Sequence, residues 1–232
     1  SGTGRNYMGQ WLLIMLLGLG VALDKGMIAI PDRWLPWTPI SIETPPGPFL
    51  GWKLARLADD PEACRAVLAA DPPQRYTPLD DVTRGQCELS NLVRYAGGQS
   101  RMQPSVMTRC PLAVAWAVFE RHELSAAARA HLGVDVAQIE HFGSFACRNI
   151  YGRAEGRRSQ HASAEALDVA AFELEDGRRV SLSGHWGKGA EGRFLKEVGQ
   201  RACKVFGTVL GPDYNAAHAD HFHLGVGGRV CR

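Results

Sequence analysis

The sequence has little excess charge of either sign. Its 26 Lys and Arg residues are scattered among 24 Asp and Glu residues, which leaves a formal net charge of +2. Proteins that bind nucleic acid present clustered positive charge to the phosphates, so we do not expect a nucleic-acid partner. Internal repeats and low-complexity tracts are also absent. The 232 residues, 45% of them hydrophobic, suffice for one domain with a sizeable core and a short extension.

Closely spaced cysteine pairs are absent as well, although the chain has six cysteines. They are Cys64, Cys87, Cys110, Cys147, Cys203 and Cys231. A thiolate zinc cluster or a thioredoxin-like site needs close pairs such as CxxC, so the wide gaps argue against both. The even number favours three disulfides in an oxidising compartment, and buried free thiols in a cytosolic protein are the alternative. The sequence does not choose among the fifteen pairings of six cysteines.

Long apolar runs are limited to the N-terminus. Residues 11–23 form an uninterrupted run of thirteen, the length of a signal-peptide core. Residues 7–23 and 26–30 extend this character, so a membrane-spanning helix is the reading we favour over a signal peptide or a buried core helix. We therefore expect an uncleaved anchor at residues 1–30. Asp24 and Lys25 are costly beside a bilayer core unless a helix of a membrane-protein partner satisfies them.

The next segment is rich in proline. Six prolines between residues 31 and 48 fix the backbone and remove hydrogen-bond donors, which predicts an extended spacer at residues 31–50. Residues 51–232 form the predicted domain. For this domain we expect an α+β fold, in which helices flank a small antiparallel sheet that is stabilised by disulfides.

Local patterns predict several of its elements. Apolar spacing and capping residues predict helices at 53–58, from Pro61 onward, at 111–122, from Ser125 to Gly133, and at 193–206. A hairpin is predicted from strands at 166–174 and 179–182, which an Asp-Gly turn joins, and a last strand at 221–226. Trp186 either lines a cleft or covers the core.

Metal-capable side chains concentrate in two segments, which contain four of the eight histidines. Strand alternation places His221 and His223 on one face, so two imidazoles can meet one ion. Asp168 lies on the first strand of the hairpin, where its neighbours point into a core. A carboxylate in that position is costly unless it is paired or bound to metal.

The spacing therefore predicts a zinc site at His161, Asp168 and His223. Three ligands of nitrogen and oxygen type leave a fourth position open for water, which is typical of catalytic zinc. His221 would be the general base, and His218 or Asp220 could orient an imidazole. The alternative is a pair of histidines near the C-terminus that binds nothing.

The segments around these residues carry a resemblance to a known family. The relevant runs are 147–149, 159–162, 166–168, 209–218 and 220–223. Through them, residues 52–232 resemble the extensin-like C-terminal domain family of bacteria. That family is similar to the zinc peptidases of the lysostaphin, D-Ala-D-Ala peptidase and Hedgehog group.

The resemblance implies a zinc peptidase of the D,D-peptidase type, with His221 as its catalytic histidine. Related enzymes hold the terminal carboxylate of the substrate with an arginine, because a guanidinium group pairs with a carboxylate through two hydrogen bonds. Arg148 and Arg153 are the candidates, and we prefer Arg148 because it follows a strand-like run. The peptidase pattern has glycine where this chain has Ala164, which is expected to reshape the loop and alter substrate fit.

These observations predict a single-pass protein of the bacterial inner membrane whose zinc domain lies in the periplasm and cleaves peptidoglycan stem peptides. The main alternative is a non-catalytic subunit of a membrane complex, in which the zinc domain is structural or binds cell wall without cutting it. A third alternative is a disulfide-stabilised adhesion module without metal.

Overall fold

The computed structural model describes residues 5–26 and 29–232. Helix α1 spans Arg5–Asp24, and its large apolar side chains between Tyr7 and Val21 are exposed. Among the described residues, no helix combines the length and the apolar character needed to cross a membrane. The anchor predicted at residues 1–30 includes residues 1–4, 27 and 28, which lie outside the described residues.

The predicted spacer is in contact with the domain. Ile42 is 2% exposed and belongs to the core. His122 donates a hydrogen bond from Nε2 to the Ile42 carbonyl oxygen over 2.9 Å, and Lys53 Nζ donates to Thr38 Oγ1 over 2.9 Å. Residues 38–42 therefore pack against the domain.

The helices of the domain lie largely where the sequence predicts them. They are α2 (Leu50–Leu57), α3 (Pro61–Ala69), α4 (Cys110–Phe119), α5 (Ser125–Leu132), α6 (Leu182–His185) and α7 (Gly189–Ala202). The Asp60 side chain accepts a hydrogen bond from the Ala63 amide and caps α3, as its position before Pro61 predicts. All ten residues of α4 are buried, as expected of a core helix.

Helix α5 begins differently from the prediction. A π-helical turn, Glu120–Leu124, joins α4 to α5 without a break, so Ser125 lies inside a continuous helix and does not cap a new one. Its hydroxyl instead donates to the Glu120 carbonyl oxygen over 3.1 Å. Gly133 ends α5 in the left-handed conformation, as predicted.

The sheets are larger than the small antiparallel sheet predicted from sequence. The first part of the domain contributes β1 (Arg75–Leu79), β2 (Val82–Arg84), β3 (Cys87–Leu89), β4 (Leu92–Gly97), β5 (Arg101–Met102), β6 (Val106–Arg109) and β7 (Val136–Gly143). The second part contributes β8 (Ala166–Leu174), β9 (Arg179–Ser181), β10 (Thr208–Leu210), β11 (Phe222–Gly225) and β12 (Val230–Cys231).

A seven-stranded sheet has the order β12-β10-β11-β8-β7-β5, with β9 paired to β8. It is mixed, because β5–β7 and β10–β12 are parallel pairs. A three-stranded sheet β1-β4-β6 and the ribbon β2-β3 complete the architecture. The α+β class is confirmed, as is the β8–β9 hairpin, but the sheet is neither small nor purely antiparallel.

All six cysteines form disulfides, as the even number predicts. Cys64–Cys110 joins α3 to α4, Cys87–Cys147 joins β3 to the segment after β7, and Cys203–Cys231 joins the end of α7 to β12. The enclosed separations are 46, 60 and 28 residues. Loop-closure entropy for separations of this size corresponds to about 4 kcal/mol of stabilisation each.

Candidate metal centre

The three predicted ligands meet where β8 and β11 pair. His223 on β11 lies directly opposite Asp168 on β8 in the antiparallel register. His161 belongs to a short 3-10 turn, Gln160–Ser163, that precedes β8. Leu167 and Val169, the neighbours of Asp168, are 2% and 0% exposed. Strand alternation thus directs the carboxylate away from the core, as the sequence predicts.

The ligand atoms of the three side chains converge on one point. Nε2 of His161 lies 3.0 Å from Nδ1 of His223, and Oδ1 of Asp168 lies 3.1 Å from each of these nitrogens. A tetrahedral zinc ion with ligands at about 2.0–2.1 Å separates its ligand atoms by about 3.3 Å. The three atoms form a triangle whose sides are a few tenths of an ångström shorter than the distances between ligand atoms around a zinc ion.

The tautomer of His161 is set by its other ring nitrogen. Nδ1 lies 3.0 Å from the carbonyl oxygen of Ser144, which can only accept a hydrogen bond, so Nδ1 carries the proton. In the neutral ring, Nε2 then has a lone pair that points toward Asp168 and His223. This arrangement, in which the distal nitrogen of a ligand donates to a backbone carbonyl, is usual around metal-binding histidines.

The tautomer of His223 is set by a longer chain of contacts. The Gln160 amide donates from Nε2 to the Gly227 carbonyl oxygen over 2.9 Å, which fixes the orientation of the amide group. Gln160 Oε1 therefore faces His223 and accepts from its Nε2 over 3.1 Å. Nδ1 of the neutral ring is left with a lone pair directed at the centre. Gly225 has no side chain that would collide with Gln160 here.

Three lone pairs at about 3 Å repel one another unless a cation lies among them. Burial alone raises the pKa of Asp168, but the hydrogen bonds and positive charge that His161 and His223 supply when protonated outweigh it and hold the pKa well below its usual range. Protons on both imidazoles are one way to balance the charge. A divalent cation satisfies the same carboxylate and leaves both imidazoles neutral, which suits the tautomers described above.

His221 stands next to the triangle, as predicted. Its Nδ1 donates to Oδ1 of Asp220 over 2.8 Å, and its Nε2 lies 3.7 Å from Oδ1 of Asp168. Phe142 packs edge-on against the ring at 5.6 Å. Asp220 thus orients His221 so that the lone pair on Nε2 faces the centre. The ring is placed to accept a proton from a molecule bound there.

A fourth imidazole, His218, lines the same region. Its ring centroid lies 5.3 Å from that of His221 and 6.0 Å from that of His223. Burial, aided by the neighbouring histidines, lowers the pKa of His218 to about 4. Asn215 Oδ1 accepts from His218 Nδ1 over 2.8 Å, while Asn215 Nδ2 donates to the Tyr151 hydroxyl over 3.0 Å.

Several of these supporting contacts have no signal in the sequence. Ser144 acts through its main-chain carbonyl, which any residue could supply. Tyr151 and Asn215 lie 64 positions apart, so only the folded chain brings them together. Gln160 could have been singled out because it directly precedes His161, a predicted ligand.

The arginine candidates lie on an exposed segment that leads back to His161. The Arg148 side chain is exposed, and its backbone carbonyl accepts from the Ser159 amide over 3.1 Å. Arg153 is exposed, with its guanidinium carbon 6.0 Å from the ring centre of Tyr151. The role predicted for Arg148 stays a prediction.

Trp186 does not line the metal centre. It packs against Phe222 with ring centroids 5.8 Å apart, and its Nε1 donates to Asp213 Oδ1 over 2.9 Å. Phe222 and His223 are successive residues of β11 and point to opposite faces of the sheet. Of the two alternatives, Trp186 therefore covers the core.

Ala164 keeps the backbone conformation that a glycine would adopt. Its φ is 55° and its ψ is 36°, in the left-handed region, and the side chain is fully buried. Its carbonyl oxygen accepts from Thr108 Oγ1 and from the Arg109 amide, both over 3.0 Å. The loop before β8 therefore has its left-handed turn despite the alanine, contrary to the expectation that alanine would reshape it.

A comparison with protein-family models matches residues 62–232 to the family described as Extensin-like protein C-terminus. The match includes all three residues of the triangle, as well as His218, Asp220 and His221. Neither the curated proteins nor the solved structures contain a significant match.

Proposed function

The chain belongs to the Extensin-like protein C-terminus family, and we propose that it is a zinc-dependent hydrolase of peptide bonds in peptidoglycan. One observation carries the proposal. Nε2 of His161, Nδ1 of His223 and Oδ1 of Asp168 lie 3.0–3.1 Å apart, with both imidazole tautomers fixed from outside.

The donor set favours zinc over other common divalent ions. Two imidazole nitrogens and one carboxylate oxygen match the ligand types of catalytic zinc sites, whereas magnesium and calcium select oxygen ligands. Three protein ligands leave room for a water or a substrate atom. When bound, zinc lowers the pKa of water to about 7 and polarises a carbonyl group.

The side chains around the centre would bind the ion and transfer the proton. His161, Asp168 and His223 hold the ion. His221 accepts a proton at Nε2 and returns it to the leaving amine, while Asp220 holds the ring through Nδ1 and stabilises its protonated form. His218 is held neutral by burial, so it can accept a hydrogen bond from substrate at the nitrogen that Asn215 leaves free.

Peptidoglycan is proposed as the substrate because the chain resembles D,D-peptidases and because Arg148 can bind a terminal carboxylate. Those enzymes cut next to a terminal carboxylate, which an arginine binds. The exposed Arg148 lies on the segment that leads back to His161, and we propose that it binds this carboxylate.

We further propose that the domain acts in the periplasm and is attached to the inner membrane by its N-terminal segment. Three disulfides favour an oxidising compartment. The exposed apolar side chains of α1 favour contact with lipid. Extraction of the native protein from membranes with carbonate and with detergent tests the attachment, and release of the protein by salt alone would contradict it.

The hydrolase proposal is tested with a His221→Gln variant. We expect it to retain one zinc ion per chain and the wild-type melting temperature. Its hydrolysis of crosslinked muropeptides should fall by about 100-fold or more, because general-base catalysis contributes on that scale. His185→Gln, on α6 and outside the site, is the matched control. Hydrolysis by His221→Gln at the wild-type rate would exclude the proposed mechanism.

A further inference from the structure

A short irregular hairpin rises directly from the metal centre. Residues 146–161, called the arginine hairpin below, pair across their two arms. The Ala146 amide donates to the His161 carbonyl over 3.0 Å, and the Ile150 amide donates to the Arg157 carbonyl over 2.9 Å. Its base therefore includes a metal ligand. Ser144, which precedes it, fixes the tautomer of that ligand.

Positive charge is concentrated on this hairpin. Its four arginines are all exposed: Arg148, Arg153, Arg157 and Arg158. Glu155 is its one acidic residue. The guanidinium carbon of Arg84, on the neighbouring ribbon β2-β3, lies 5.9 Å from the ring centre of Phe145 and adds a fifth positive group at the base.

These arginines differ in their surroundings from others in the domain. Arg109, Arg179 and Arg201 form ion pairs with glutamates elsewhere in the domain. Over residues 5–26 and 29–232, by contrast, none of the five arginines has a carboxylate within ion-pair distance. Their charge is available to a ligand that approaches the centre.

The arginine hairpin is also held in place. The Cys87–Cys147 disulfide fixes one arm to β3, and Arg158 Nη2 donates to Gln86 Oε1 over 2.8 Å. At the tip, the Tyr151 hydroxyl accepts from Asn215, which also holds His218. The backbone of the hairpin is thus fixed to the ribbon β2-β3 and, through Tyr151, to Asn215, the residue that also binds His218.

From this placement we infer that the arginine hairpin selects an acidic peptide, one with two or more carboxylates near the bond presented to the metal centre. The inference rests on the proposed function and deepens it, because it defines the class of peptide and assigns Arg153, Arg157 and Arg158 to binding. Guanidinium groups bind carboxylates through paired, charge-assisted hydrogen bonds. Peptidoglycan stem peptides with free side-chain and terminal carboxylates have this chemistry.

The test compares two triple variants of the full chain. Arg153→Gln/Arg157→Gln/Arg158→Gln removes three charges from the hairpin. Arg94→Gln/Arg101→Gln/Arg193→Gln removes the same charge from exposed positions on β4, β5 and α7. Binding is measured by sedimentation with insoluble peptidoglycan, in its native form and after its carboxylates have been converted to carboxamides.

We expect the hairpin variant to bind native peptidoglycan on the order of tenfold more weakly than the wild type, since each exposed charge pair contributes about two- to fivefold. Amidated peptidoglycan should bind the wild type equally weakly, and added salt should reduce the difference between the variants. The control variant should bind as the wild type does. Equal binding by the two variants, or no effect of amidation, would overturn the inference.

Zinc content and hydrolysis are measured on the same samples, which separates the two proposals. If the wild type binds through the hairpin but does not cleave, the proposed hydrolysis fails and the inference stands. If the wild type cleaves and the two triple variants bind and cleave alike, the inference fails and the proposed function stands.

Discussion

At the scale of single residues, the orientation of a few hydrogen bonds decides what the centre can bind. His161 and His223 each place a different ring nitrogen at the centre, because their other nitrogens donate to Ser144 and to Gln160. The meeting of His161, Asp168 and His223 could be predicted from sequence, since strand alternation and the motifs around them point to one another. The tautomers could not, since they depend on a carbonyl and an amide whose positions only the fold defines.

Gln160 provides the sharpest test of this point. Gln160→Ala removes the acceptor for Nε2–H of His223, so either ring nitrogen can then carry the proton. We expect zinc affinity to fall by about 10- to 100-fold, the usual cost of losing a hydrogen bond that orients a ligand. Competition with a coloured chelator measures the affinity. Gln200→Ala, on the exposed side of α7, is the matched control, and equal affinities for the two variants would contradict the assigned tautomer.

Ala164 shows how a residue-level expectation was wrong for a physical reason. The left-handed conformation is strained for alanine by about 1 kcal/mol, which suggested a different loop. The structure keeps the conformation because the Ala164 carbonyl accepts two hydrogen bonds and its methyl group is fully buried. The residues next to Ala164 in the sequence do not predict these tertiary contacts.

At the scale of elements, local patterns in the sequence predicted single helices and the hairpin correctly. They did not predict which distant strands pair. Helix α4, the cap of α3 and the β8–β9 hairpin follow from apolar spacing, an Asp-Pro start and an Asp-Gly turn. The parallel pairs β5–β7 and β10–β12 join segments 37 and 22 residues apart at their first paired residues, Arg101–Gln138 and Thr208–Val230. Three of the four strands, β5, β10 and β12, have only two or three residues, which is too few for a periodic pattern to predict them.

The Cys87–Cys147 disulfide joins β3 to the segment after β7, across a sequence separation of 60 residues. Replacing both cysteines with serine should lower the free energy of unfolding by about 2–4 kcal/mol, because the unfolded chain regains loop entropy. Urea denaturation without reductant measures the change. Cys203→Ser/Cys231→Ser, which opens a separation of 28 residues, should have a somewhat smaller effect. An unchanged unfolding midpoint for the first pair would show that the bond does not constrain the chain.

At the scale of the whole molecule, the seven-stranded sheet places the candidate centre at the base of the arginine hairpin. The two are linked through His161, which belongs to both. The predicted spacer is in part a piece of the domain, because the burial of Ile42 anchors it. The proline pattern predicts an extended path, whereas the segment contains a short 3-10 helix, Asp32–Trp34, and packs in part on the domain.

The central claim is that His161, Asp168 and His223 bind one zinc ion. The most direct test is elemental analysis of the purified, folded protein after equilibration with zinc and removal of free metal. The account predicts one zinc per wild-type chain. It predicts close to none for His161→Ala, with circular dichroism of that variant showing a folded domain. A folded wild-type protein that retains no zinc would contradict the account.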